Sequence, residues 1–159
     1  MNSEIKNKID YIIRPMTADD LSAVVRIERN IFPDPWPKSA FEEQVSGSPW
    51  GGLIAESHGT IIGYACYYAV DIEGHLTNIA VDPEYRRKSV AKRLLDNILI
   101  IVQGLKCEFI LLEVRASNTG AIAFYEKYDF QHLYRRPNYY RKPVEDALVM
   151  VHYFDIDKD

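Results

Sequence analysis

Ile79-Ala80-Val81-Asp82-Pro83-Glu84-Tyr85-Arg86-Arg87-Lys88-Ser89-Val90-Ala91-Lys92-Arg93-Leu94-Leu95 reads as the end of a strand, a turn, a basic loop and the start of a helix. Ile79 to Val81 are strand formers, and Asp82-Pro83 turns the chain. From Lys88 to Gln103 a long helix is expected, because Val90, Leu94, Ile98 and Val102 recur on one helical face. Gly104 follows, where helices commonly stop. A helix N-terminus offers unpaired backbone N–H groups and the positive end of a dipole. With Arg86, Arg87 and Lys88 at that place, the segment is a candidate anion site. On charge alone, a solvated basic turn capping a surface helix fits equally well.

Working outward, Tyr11 to Met16 reads as a short strand, and Thr17 caps a helix with Asp20 at the capping-box position. Leu21, Val24, Val25 and Ile31 are its apolar face. Pro33, Pro35 and Pro37 end it, and a shorter helix runs from Lys38 to Val45. Strands are expected at Gly51–Glu56 and Thr60–Val70, joined by a tight turn at His58-Gly59, and at His75–Val81. Glu108–Arg115 is strand-like, Asn118–Tyr128 helical, and Phe130–Arg136 and Ala147–Phe154 are the last strands. The order β-α-α-β-β-β-α-β-α-β-β describes an α/β (α+β) chain, a mixed sheet with helices against it.

The 159 residues fit one domain, expected over residues 11–155, after a disordered N-terminal extension over residues 1–10. An apolar fraction of 47% and a charged fraction of 26% exclude disorder, collagen and coiled coil as the main character. No apolar run reaches a membrane span, and the polar N-terminus is not a signal peptide. Cys66 and Cys107 sit in apolar runs and are expected as buried free thiols. The four histidines show no metal spacing, so no metal is expected. These features describe a cytoplasmic enzyme or binding module.

The net charge of −4 argues against a general nucleic-acid binder. Yet basic residues concentrate at Arg86, Arg87, Lys88, Lys92 and Arg93, and again at Arg135, Arg136, Arg141 and Lys142. Two such spots on an acidic protein suit a compact anionic ligand, such as a phosphate-bearing cofactor.

Arg86-Arg87-Lys88-Ser89-Val90-Ala91 resembles the R/Q-x-x-G-x-G/A pyrophosphate loop of the GNAT superfamily of N-acetyltransferases. The resemblance extends to Asn78-Ile79-Ala80-Val81-Asp82-Pro83, Leu112-Glu113-Val114-Arg115-Ala116-Ser117-Asn118, Phe124-Tyr125 and Asp129-Phe130. It includes Arg135-Arg136, Asn138-Tyr139-Tyr140 and Glu145-Asp146-Ala147, which are similar to the RimI-type branch, and it covers about Tyr11 to Tyr153. It implies a GNAT fold, with a mixed central sheet of about seven strands flanked by about four helices. It also implies acetyl-CoA bound by Arg86, Arg87, Lys88, Ser89, Val90, Ala91, Lys92 and Asn118, with main-chain bonds from Ile79, Ala80 and Val81 to the pantetheine. That branch acetylates the N-terminal alanine of a small-subunit ribosomal protein, which would be the acceptor partner. One departure is Ser89, where the family places glycine. A Cβ there crowds close backbone approach to phosphate. Read as an early helical position, Ser89→Gly is expected to tighten cofactor binding and to lower the unfolding temperature slightly.

Period-two alternation puts Glu113 on the face of Phe109 and Leu111. A carboxylate on an apolar strand face is costly unless paired or functional. Burial would raise its pKa as a general base requires, and a pair with Arg115 on the same face is the alternative. Tyr125 reads from the pattern as a core tyrosine, and Asn118 as a helix cap. The resemblance implies that Glu113 deprotonates the acceptor ammonium and that Tyr125 protonates the departing thiolate. It also implies that Glu28, on the first helix's apolar stripe, lies near the acceptor amine. Phe32, Trp36, Tyr139 and Tyr140 would wall a peptide groove, although packing explains each alone. An α-ammonium, with pKa ~7.7–8.0, needs only a modest base, unlike a lysine at ~10.4. Acetylation of a lysine or a small amine is the alternative within the fold. Outside it stand an inert coenzyme A binder and an RNA-associated protein, the latter disfavoured by the negative charge.

Overall fold

In the computed structural model, which describes residues 9–156, the chain begins with β1 (Ile12–Pro15), a 3₁₀ turn (Ala18–Asp20), α1 (Leu21–Ile31) and α2 (Lys38–Gln44). It continues through β2 (Trp50–Ser57), β3 (Thr60–Val70), β4 (Glu73–Val81) and a 3₁₀ turn (Pro83–Tyr85). Then come α3 (Val90–Gly104), β5 (Phe109–Arg115), α4 (Thr119–Glu126), β6 (Gln131–Arg141) and β7 (Val144–Tyr153). The element order is the one the periodicity predicts. Residues 1–8 of the expected N-terminal extension lie outside the described residues. Ile9 packs against the main core, and the Asp10 carbonyl accepts a 2.7 Å bond from Ser57 Oγ, so both are held in place.

The strands form one mixed, seven-stranded sheet in the order β1-β2-β3-β4-β5-β7-β6. Two cores fill its faces. On one, Val90, Leu94, Ile98 and Val102 of α3 and Tyr125 of α4 pack over Leu53, Ile62, Leu76, Ile110 and Leu112. On the other, Leu21, Val24 and Ile27 of α1 and Phe41 of α2 cover Ile54, Tyr64, Cys66 and Ala80. Gly74 lets α3 approach β4, since a Cβ there would lie 2.5 Å from Val102 Cγ1. Cys66 and Cys107 are buried free thiols.

Two features of the sheet position the site. The parallel β4–β5 ladder has only the pairs Glu73–Phe109, Gly74–Ile110 and His75–Leu111. Beyond His75 the strands diverge, and the edge of β4 from Leu76 to Val81 faces a V-shaped opening. β4 also bulges against β3, since Tyr67 pairs with Leu76 while Cys66 pairs with Asn78. An extra residue in one strand reverses side-chain phase. Leu76 therefore points to the α3 core, whereas Asn78 reaches Glu28 of α1.

Several boundaries differ from the sequence reading, three of them beside the site. The long helix starts at Val90, because Ser89 is left-handed at φ 64°, ψ 18° and serves as its N-cap. The helix expected over Asn118–Tyr128 is shorter, with Asn118 as its cap. The strand expected to end at Arg136 continues to Arg141, where pairing with β7 resumes after a bulge that absorbs Pro137 and Asn138. Local propensity disfavours proline in a strand, and the tertiary hairpin overrides it.

Candidate active site

The basic loop closes one end of the opening. Asp82 caps the turn after β4 by accepting from Glu84 N–H at 3.0 Å, and the chain then passes through left-handed residues Arg87 (φ 62°) and Ser89. Left-handed residues within a turn gather backbone N–H groups into an anion-binding concavity. Arg93 N–H makes the first main-chain bond of α3, to the Ser89 carbonyl at 3.1 Å. The N–H groups of residues 87 to 92 have no main-chain acceptor among the described residues. Arg86, Arg87 and Lys92 are exposed, Lys88 is half-buried, and none of the four is in an ion pair among the described residues. Free N–H groups, a dipole end and unpaired cations fit a diphosphate. Val90 turns its buried side chain to the core, so it can offer a ligand only its main chain; Ala91 is half-buried against the same core. Ile79, Ala80 and Val81 lie on the unpaired edge of β4, as a strand-like ligand requires. Asn118 accepts from Ala121 N–H at 3.1 Å, so its oxygen is committed to capping α4.

Glu113 projects from β5 on the face opposite α3. Ile110, Leu112 and Val114 are buried, whereas Phe109, Leu111, Glu113 and Arg115 are half-buried. The expected apolar burial of Glu113 is corrected: its side chain is 29% exposed. The alternative reading, a pair with Arg115, does not hold either. Glu113 Oε1 lies 3.6 Å from Nη2 of Arg136 on β6, while Arg115 pairs with Glu145 at 3.3 Å. Tyr139 also reaches it; a hydrogen bond to Glu113, together with burial, pushes the Tyr139 phenol to about 12. Burial first, and then the Glu113 charge, pushes Tyr140 to about 12.

Tyr125 is 7% exposed and packs edge-on to Phe124 and Phe130. Burial, with a smaller effect of nearby Tyr140, raises its pKa well above 10 and keeps it a proton donor. It comes from the α3 and α4 face, whereas Glu113 comes from the other. The splay of β4 from β5 joins the two faces, so one opening can take a ligand from each side.

The specific sequence motifs brace this arrangement. Arg115 donates to the Lys142 and Pro143 carbonyls, each at 3.0 Å, and stacks over Tyr140 at 4.3 Å. Glu145 accepts from Ser117 N–H at 2.7 Å, and Asp146 from Asn138 N–H at 2.9 Å. Leu-Glu-Val-Arg-Ala-Ser-Asn and Glu-Asp-Ala thus fasten the hairpin bearing Tyr139 and Tyr140 to the end of β5.

Glu28 is 2% exposed, and both its oxygens are occupied. Oε1 accepts from Trp36 N–H at 3.1 Å; Oε2 accepts from Asn78 Nδ2 at 2.9 Å and from the Tyr64 hydroxyl. It ties the proline-rich loop to β3 and β4, and an amine would have to displace one of these donors to touch it. Phe32 and Trp36 are half-buried against the α1 core, while Tyr139 is 43% exposed. Sequence reasoning singled out neither Asn78 and Tyr64 as partners of Glu28 nor Arg136 as the partner of Glu113. The signals for Arg136 were its place in a basic cluster and in the Arg135-Arg136 motif of the resemblance, neither of which names its partner.

The profile described as "Acetyltransferase (GNAT) family" matches residues 21–130. The ribosomal protein bS18-alanine N-acetyltransferase of Escherichia coli (strain K12) is 33% identical over 140 residues, covering 87% of this chain and 94% of its own. The N-alpha-acetyltransferase RimI of Mycobacterium tuberculosis is 33% identical over 145 residues, covering 87% and 89%. The crystal structure of the Escherichia coli ribosomal-protein-S18-alanine N-acetyltransferase superposes with a TM-score of 0.87 at 30% identity, covering 94% of this chain and 97% of that one. With relatives a third identical along most of its length, and a fold that opens at the same place as its anion loop, this chain belongs to the GNAT family of acetyltransferases, which take their acetyl group from acetyl-CoA.

Proposed function

We propose that the protein acetylates the α-amine of an N-terminal alanine, on a small-subunit ribosomal protein, in the cytoplasm. The observation that carries this reading is the opening between β4 and β5, with unpaired N–H groups and cations at its rim and Glu113 beside it. No helix among the described residues is long and apolar enough to cross a membrane. The Escherichia coli relative named above is described as a ribosomal protein bS18-alanine N-acetyltransferase, which supports the same acceptor here.

Acetyl-CoA supplies the activated thioester. The main chain of residues 87–92, with Arg86, Arg87, Lys88 and Lys92, would hold its pyrophosphate, and the free edge of Ile79 to Val81 its pantetheine. Glu113 takes a proton from the α-ammonium. With pKa ~7.7–8.0, the acceptor is already partly neutral near pH 7, so a half-exposed carboxylate suffices. As the new C–N bond replaces the C–S bond, Tyr125 gives its proton to sulfur, and the nitrogen's remaining excess proton restores the tyrosine. In sum, an ammonium and a thioester become an amide, a thiol and one released proton. Phe32, Tyr139 and Tyr140 would line the acceptor's path, and Glu28 would hold the loop that carries Phe32.

The test is a peptide beginning with free alanine, set against the same peptide blocked at its N-terminus and carrying an internal lysine. Mass spectrometry should place the acetyl group on the α-amine. Acetyl found on the lysine, at a comparable or greater rate, would overturn the reading in favour of a lysine acetyltransferase.

A further inference from the structure

The phosphate loop is held from an unexpected direction. The Tyr11 hydroxyl, at the entry to β1, donates to the Ser89 carbonyl at 3.0 Å across 78 residues of sequence. The Arg93 guanidinium lies 4.6 Å over the Tyr11 ring, and its Nη1 donates to the Tyr11 carbonyl at 3.4 Å. The same Ser89 carbonyl accepts the first main-chain bond of α3. Ser89 needs such help. At φ 64° it occupies the left-handed region that residues with a Cβ leave readily, and Arg87 at φ 62° shares the difficulty. The N–H groups of this stretch have no main-chain acceptor among the described residues to fix them.

We infer that Tyr11 is a positioning residue for acetyl-CoA binding: its hydroxyl latches the Ser89 peptide in the left-handed conformation that turns the loop into an anion cradle. The inference rests on the loop being the pyrophosphate site. A ligand that binds only the latched form loses affinity in proportion to the fraction latched. The chemistry at Glu113 and Tyr125 is elsewhere, so the turnover step is untouched.

The test is Tyr11→Phe, which keeps the ring, its packing and the stacking of Arg93. Acetyl-CoA affinity by calorimetry should fall about two- to fivefold, the low range for one partly exposed hydrogen bond. KM for acetyl-CoA should rise by the same factor, while kcat and the acceptor's KM hold. In a Ser89→Gly background, where glycine enters the left-handed region freely, the loss should shrink below about twofold. Unchanged affinity in Tyr11→Phe, or an undiminished loss in the glycine background, overturns the latch. Arg86→Ala/Arg87→Ala serves as the reference. If that variant binds acetyl-CoA as well as wild type, the loop reading itself fails. If it weakens while Tyr11→Phe does not, only the latch fails.

Discussion

Ser89→Gly tests the backbone directly. Ser89 is the N-cap of α3, it sits at φ 64°, ψ 18°, and its hydroxyl makes no capping bond. Replacing it therefore removes no capping hydrogen bond. A left-handed conformation costs a residue with a Cβ roughly 1–2 kcal/mol, and glycine pays none of it. Against this stands glycine's extra backbone entropy in the unfolded chain, roughly 0.5–1 kcal/mol. Taken at their central values, the two favour glycine by about 0.75 kcal/mol. For a chain of this length that is a rise of about 1–4 °C in unfolding temperature. This reverses the sequence-based expectation, which treated position 89 as early helix and predicted a lower temperature. The same relief, with the loss of the Cβ beside the phosphate path, should tighten acetyl-CoA binding about two- to fivefold. Wild type, Ser89→Gly and Ser89→Ala are to be melted without ligand and titrated with acetyl-CoA. Alanine keeps the Cβ and the strain, so it should melt close to wild type. If glycine melts below wild type while alanine does not, the strain argument is refuted. Weaker binding in both variants would instead assign the serine hydroxyl a bond to phosphate.

Glu113→Gln should lower kcat by ~10²–10⁴-fold with acetyl-CoA affinity unchanged. Tyr125→Phe should lower kcat less at high pH, where a thiolate leaves more easily without a donor; both variants retaining wild-type kcat over pH ~6–9 would sink these roles. Because burial holds the Tyr125 hydroxyl above its ordinary 10, its titration should contribute no limb to the wild-type profile in that range. Arg115→Ala removes two carbonyl bonds, the Glu145 pair and the stack on Tyr140. It should cost about 2–3 kcal/mol in denaturant unfolding and raise the acceptor's KM, and no change in either would disprove the brace. Asp20 is held below its ordinary 3.8, chiefly by hydrogen bonds from Arg14 at 2.7 and 2.8 Å. A depressed carboxylate stabilises the fold above its ordinary pKa, and the effect is lost as pH falls through the folded value. Asp20→Asn should thus cost about 1.5–3 kcal/mol at pH 7, a penalty that shrinks below about pH 4; a pH-independent penalty would contradict the assignment.

Much was legible from local pattern. The spacing of Val90, Leu94, Ile98 and Val102, the turn at Asp82-Pro83 and the alternation around Glu113 reflect the periods of helix and strand, which depend on near neighbours. They determined the element order, the mixed sheet and the placing of a basic loop at a helix N-terminus. Resemblance in the 112–118 and 145–147 motifs pointed to the family and implied roles for Glu113 and Asn118, but did not say what Arg115, Ser117, Glu145 and Asp146 do. Only the tertiary structure decided that they fasten a hairpin, that β4 and β5 part after His75, and that Glu113 faces Arg136 and Tyr139 rather than Arg115. It also decided that Glu28 is enclosed by donors from three segments, and that Ser89 is left-handed and latched by Tyr11. These facts arise between residues as far as 78 positions apart, or from a backbone angle set by such contacts. A residue's hydrophobic period is written in its neighbours along the chain. Its partners across a sheet are set by register, bulge and splay, which exist only once the strands have paired.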